Sequence, residues 1–147
     1  MLRWLLIILL LFNALGAYYG SYMLLSDPSG EAIQMADGIL EGSPFSSFLI
    51  PGIILLLVNG LLPTVAAVGM ITRKPQKPLP GFPVLKPYHW SWSLALIAGI
   101  GLMIWIGVQI AMLGYWKDYP IQGIYGTLGV LITGLALLPG VRKGYRL

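Results

Sequence analysis

Four stretches of this chain, residues 4–25, 46–71, 92–115 and 121–141, contain no Asp, Glu, Lys or Arg. As helices they would be roughly 33, 39, 36 and 32 Å long, against a hydrocarbon core of about 30 Å. A backbone in lipid must satisfy its own hydrogen bonds, so each stretch is expected to form a membrane-crossing helix. The second and third exceed the core thickness and are expected to tilt or kink. Composition points the same way: of 147 residues, 57% are apolar and 10% charged, with a mean hydropathy of +0.82. A soluble domain has about a quarter of its residues charged, and a disordered chain has low hydrophobicity. The expected fold is all-α, a four-helix transmembrane bundle forming one membrane domain over residues 1–147.

Charge sets the orientation. Arg3, the loop residues Arg73, Lys74, Lys77 and Lys86, and the tail residues Arg142, Lys143 and Arg146 lie on one side of the four spans. Asp27, Glu31, Asp37, Glu41, Lys117 and Asp118 lie on the other. The two faces carry +8 and −4, together the net +4 of the chain. By the positive-inside rule both termini are cytoplasmic, and the expected location is the inner (plasma) membrane, crossed several times. Basic residues facing anionic headgroups explain the pI near 9.5 without nucleic acid as a partner. Residues 1–16 also have the outline of a signal peptide, with Arg3, an apolar run and the small residues Ala14 and Gly16. Apolar character continues through Tyr18 to Leu25, so an uncleaved first helix is expected instead.

The connections differ in character. Asp27, Pro28, Ser29 and Gly30 have the preferences of a type I turn. Ala32, Met35, Ala36, Ile39 and Leu40 then recur at helical spacing opposite Glu31, Gln34, Asp37 and Glu41, which predicts a short amphipathic helix over 31–41 in the first external loop. Asp37 and Glu41 are read as a solvated acidic face rather than a metal site. Residues 72–88 hold five prolines and three lysines and are expected to be an extended, poorly packed cytoplasmic connector. The segment 116–120 is short enough to make helices three and four an antiparallel hairpin. Trp4, Tyr88, Trp90 and Trp92 are expected to anchor the inner interface, and Tyr22, Tyr115, Trp116 and Tyr119 the outer one. His89 is read as a headgroup-level residue among the inner group.

Inside the spans the informative residues are polar or small. No ionisable side chain is embedded, which removes the usual means of proton-coupled transport, voltage sensing or intramembrane proteolysis. The absence of cysteine removes disulfides, thiolate metal sites and iron–sulfur clusters, and no cofactor or metal is expected. Counting rise per residue from the span ends puts Asn13, Asn59 and Thr133 near the midplane and Gln109 in the outer half. In the second span Pro63 lacks an N–H and its ring clashes with the Asn59 carbonyl, while Gly60 weakens the same turn, so a kink with a free carbonyl is expected there. Asn13, Asn59, Gly60, Pro63, Gln109, Gln122 and Thr133 are the candidate binding residues. Gly16, Gly20, Gly99, Gly107, Gly126 and Gly129 are the candidate packing positions, as small residues let helices approach in lipid.

The run Asp27-Pro28-Ser29-Gly30, Ser43-Pro44-Phe45, Phe48-Leu49-Ile50-Pro51-Gly52 and Asn59-Gly60, with a looser echo in Trp105 and Gln109, resembles a group of small bacterial four-span membrane proteins without an assigned activity. The resemblance covers roughly residues 27–63 and implies a bacterial inner-membrane setting, with no substrate, cofactor or catalytic residue carried over. The expected function is a non-enzymatic integral membrane protein, an accessory or assembly subunit acting through helix packing. The alternative is a small carrier or pore for a neutral or lipidic solute, centred on the Asn59/Pro63 kink. The expected partners are the lipid bilayer and another membrane protein or a second copy of the chain.

Overall fold

The computed structural model describes residues 1–75, 77 and 79–147. Four long helices dominate it: α1 (Leu2–Ser26), α2 (Leu49–Thr72), α3 (Trp90–Leu113) and α4 (Ile121–Leu137). α1, α2 and α3 are each long and apolar enough to cross a membrane, and α4 joins them if its bent continuation Pro139–Tyr145 is counted in the same span. Among the described residues the only β pairing is an isolated antiparallel bridge between Tyr88 and Arg146.

Each helix packs antiparallel to its sequence neighbour, and α1 also meets α4, which closes the ring. The glycines record the register. Gly52 lies against Leu24 and Leu25, and Gly20 against Leu55, along the α1–α2 seam. Gly69 meets Trp90 and Ser91, while Gly101 meets Val58, along α2–α3. Gly99 lies beneath Ile132 and Thr133, and Gly129 beneath Met103, so α3 and α4 approach backbone to backbone. Gly16 receives the Tyr125 ring of α4. The interior holds Leu6, Ile7, Leu10, Leu94, Leu102 and Ile132, each 2% exposed or less. Outward positions are equally apolar, with Ile8, Leu15, Ile104 and Val130 all more than half exposed. Helices apolar on both faces are what a lipid solvent selects.

Helix boundaries follow local chemistry. α1 stops at Ser26, ahead of Asp27-Pro28, since the residue before proline is pushed out of the helical region. α4 stops at Leu137 rather than running to 141 as the charge-free stretch predicts. Leu138 is extended before Pro139, and the chain turns by 60° into α5 (Pro139–Arg142) and a short turn, Lys143–Tyr145. The straight part of α4 is therefore only about 26 Å long.

The first loop departs from its amphipathic pattern. The type I turn forms as expected, with the Gly30 amide donating to the Asp27 carbonyl oxygen at 3.1 Å. The predicted helix over 31–41 does not. A single 3-10 turn spans Glu31–Ile33, after which Gln34, Gly38 and Gly42 take left-handed conformations. An eleven-residue segment is below the length at which helix nucleation is repaid by propagation, and glycine offers an easy exit. Instead the loop folds back, and the Phe48 amide donates to the Pro28 carbonyl oxygen at 2.8 Å.

The end of the bundle that carries both termini is tightly closed, against the expectation of a loose connector over 72–88. Phe82, Val84 and Tyr88 pack on the core, and the Leu85 amide donates to Ser93 Oγ at 2.9 Å. Gln76 and Pro78 of that connector lie outside the described residues. Trp90 and Trp92 are 7% and 3% exposed, so neither is an interfacial anchor. Their indoles satisfy a connector carbonyl just past α2 and a carbonyl that the end of α4 leaves unpaired. Trp90 Nε1 donates to the Lys74 oxygen at 2.9 Å, and Trp92 Nε1 to the Ala136 oxygen at 2.8 Å.

Candidate functional site

The helical pitch of α2 changes near its middle, where the sequence predicts a kink. Residues Leu55–Leu61 form a π-helical segment, closed by the Leu62 amide donating to the Leu57 carbonyl oxygen. The wider turn is one of the recognised causes of a helix bend and is frequent at functional sites. The expected free carbonyl is that of Asn59; the carbonyl that accepts from a side chain is that of Gly60, from Thr64 Oγ1 at 2.8 Å. That bond uses the only hydrogen of the threonine, so at 2.8 Å the Tyr18 hydroxyl must donate to Thr64 Oγ1. The chain Tyr18 to Thr64 to Gly60 was not anticipated. A hydroxyl residue directly after a proline is its only sequence trace.

Asn59 faces a different fate. It is fully buried, and neither its Nδ2 nor its Oδ1 has a hydrogen-bond partner among the described residues. Asn13 Nδ2 and Thr133 Oγ1 are likewise buried and unpartnered. Register brings Asn59 and Thr133 to one layer. Val58, next to Asn59, meets Gly101, while Gly99 of the same turn of α3 meets Thr133. On α1, Asn13 lies within one turn of Gly16, which meets Tyr125 on α4. Tyr125 lies eight residues, roughly 12 Å, from Thr133 along α4, so this contact does not put Asn13 in the layer of Asn59 and Thr133. An unsatisfied polar group in an apolar interior costs about 1–3 kcal/mol, so these side chains are a notable concentration among the described residues.

The fourth buried orphan, Gln109 Oε1, belongs to a pocket that the sequence did not predict. Its volume is about 430 Å³, within the span of sites that hold small organic molecules. Ile54 and Val58 of α2 and Gly101, Trp105 and Gln109 of α3 form its walls. Met35, Leu40, Phe45 and Phe48 of the first loop roof it. The apolar residues read as one face of a helix therefore do face inward, but from an irregular loop. A shallower groove between α1 and α4, lined by Phe12, Ile124 and Leu131, opens at the outer surface of the bundle.

The remaining candidates have structural roles. Gln122 is 1% exposed and closes the α3–α4 hairpin, with Oε1 accepting from the Trp116 amide at 2.8 Å and Nε2 donating to the Gly114 oxygen at 3.1 Å. It is not part of either polar group. Gly126 lies 3.6 Å from Ile106, measured from where a Cβ would sit, whereas Gly107 has nothing within 4 Å and is exposed. His89 caps α3 with both ring nitrogens engaged. Nδ1 accepts from the Ser91 amide at 3.3 Å and lies 2.8 Å from Ser91 Oγ, so Nε2 carries the hydrogen that reaches the Lys74 oxygen at 2.9 Å. Among the described residues no cluster of His, Asp and Glu is arranged to hold a metal.

Compared with family models, with curated proteins and with solved structures, the chain matches none.

Proposed function

We propose that this chain is a four-span integral membrane protein of a bacterial inner membrane, both termini cytoplasmic, that binds a neutral lipidic solute in the pocket beneath its first loop. The observation that carries the reading is the apolar pocket of about 430 Å³ between α2, α3 and the loop, with Gln109 in its wall. The segregation of charge, +8 against −4, supports the orientation. No group in the pocket titrates or attacks, so the reading is one of binding or carriage rather than catalysis. The site borders the π-helical segment that holds Asn59, with Val58 common to both.

The test is to purify the protein in lipid nanodiscs and identify small molecules retained by native mass spectrometry. Wild type should hold a stoichiometric neutral lipid, and Val108→Trp, which places an indole in the pocket wall, should lose it. Retention of the same lipid by both would sink the proposal. Because the chain has no cysteine, single substitutions Asp37→Cys and Lys143→Cys give a clean labelling test of orientation. A membrane-impermeant thiol reagent applied to intact spheroplasts should modify the first and spare the second.

A second reading, an accessory or assembly subunit, is favoured by Gly107. It is exposed on α3, and among the described residues nothing lies within 4 Å of where its Cβ would sit, unlike Gly99 and Gly129. Gly107→Leu should then change the size of the native complex without changing the fold.

A further inference from the structure

We infer that the ligand of the first-loop pocket is an uncharged amphiphile whose head is a hydroxyl, held by Gln109, with its hydrocarbon tail running toward Val58 and Gly101. The inference rests on the binding reading above and specifies its substrate class. Three observations support it.

The first concerns charge. No Asp, Glu, Lys, Arg or His lines the pocket. A phosphate, carboxylate or ammonium head would be buried without a counter-charge, at a cost that such sites do not tolerate. This selects a neutral head.

The second is the unpaired acceptor. Gln109 Oε1 is buried without a donor. Of the other polar side chains of the wall, Ser43 is engaged in its own loop, its Oγ donating to the Phe45 oxygen at 3.3 Å and accepting from the Phe45 amide at 3.2 Å, and the Trp105 indole offers a donor, which a hydroxyl oxygen can meet while its hydrogen goes to Gln109. Gln109 therefore orients the head. An alkane, ester, ether or ketone has no donor for it. A hydroxyl both donates and accepts, so it complements an amide whichever way the amide is turned.

The third is direction and access. Gln109 lies near the end of α3, and Trp105 and Gly101 follow at successive turns inward, a run of roughly 12 Å at 1.5 Å per residue. At the far end a Cβ on Gly101 would lie 3.3 Å from Val58, so α2 and α3 approach closely there and that contact closes the inner end of the pocket. Ile104 and Val108 line the pocket yet are 61% and 47% exposed, so the wall between α2 and α3 opens sideways on the bundle surface. A ligand already dissolved in the bilayer can enter there.

Trp105 provides the readout. In vesicles of zwitterionic phospholipid, three probes with the same brominated chain are titrated: a long-chain alcohol, the corresponding alkane and the corresponding methyl ester. The signal is the fluorescence quenching present in wild type and missing in Trp105→Phe. The alcohol should quench this component at about one-tenth the membrane mole fraction the alkane and ester require, the value of one hydrogen bond to an otherwise orphaned acceptor. In Gln109→Leu the three probes should become equal. Equal quenching by all three in wild type would overturn the hydroxyl assignment while leaving the pocket standing. Quenching of Trp105 by none of them, or quenching unaffected by Val108→Trp, would overturn the pocket itself. The comparison of probes on wild type stands even if the Gln109 variant does not fold.

Discussion

The hydroxyl of Tyr145 donates to the carbonyl oxygen of Met70 at 2.9 Å, across 75 positions of sequence. Met70 lies in the last turn of α2, where carbonyls have no helical partner. Tyr145 is 3% exposed and reaches it because α5 and the following turn fold the tail under the bundle. The tail is stitched down further, with the His89 amide donating to the Tyr145 oxygen at 2.7 Å and the Leu147 amide to the Pro87 oxygen at 2.8 Å. Tyr145→Phe keeps the ring and strands the Met70 oxygen. The loss should be about 1–3 kcal/mol, read as a lower midpoint of thermal unfolding in detergent. An unchanged midpoint would mean that the tail does not contribute to the stability of the bundle.

Glycines are not equivalent in this fold. At Gly69 a Cβ would collide with the Trp90 indole and approach Ser91 Cβ at 2.8 Å, whereas Gly107 has nothing within 4 Å. Gly69→Leu should therefore part α2 from α3 and cost about 1–3 kcal/mol or more, since a buried indole cannot yield easily. Gly107→Leu should leave the unfolding midpoint of the isolated chain unchanged. Circular dichroism melts of the two variants side by side give the comparison, and equal losses would contradict the register described here.

Asn59 is buried with both of its polar atoms unpartnered. Asn59→Leu, similar in volume, removes those groups together. The variant is expected to fold and to gain about 1–3 kcal/mol in stability, since an unsatisfied amide is more costly than an apolar side chain of the same shape. Binding of the brominated alcohol should persist, because Asn59 does not line the pocket. A destabilised variant would show that Asn59 has a partner of its own at mid-bundle.

The first loop has a pH-sensitive anchor. The Ser29 hydroxyl, at 2.6 Å, and next the Ala32 amide, at 2.9 Å, hold the Asp27 carboxyl below its ordinary value of 3.8. A carboxylate whose folded pKa is depressed supports the structure fully above the unfolded value and loses that support as pH falls through the folded one. The turn should stay ordered at neutral and mildly acidic pH and loosen only below about 3.8. NMR titration of the Ser29 and Ala32 amides should report this transition, and Asp27→Asn should remove it. A midpoint above 3.8 would contradict the hydrogen-bonded geometry.

Sequence alone determined where the long apolar helices run, because exclusion of charge from an apolar stretch depends on composition and needs no partner. It also gave Asn13, Asn59 and Thr133 one expected depth from a constant rise per residue, and the helix register aligns Asn59 with Thr133. Rise says nothing about which way a side chain points around the helix axis. That is decided by which helices become neighbours, so only the tertiary structure turned Trp90 and Trp92 inward and gave Gln122 to the hairpin. The same limit hid the pocket, whose walls come from α2 and α3 and whose roof comes from a loop with helical spacing but no helix. In that loop Gly38 and Gly42, together with Gln34 in a left-handed conformation, prevented the regular structure its hydrophobic pattern suggests. Its apolar side chains then satisfied the same demand for burial by closing over the space between two helices.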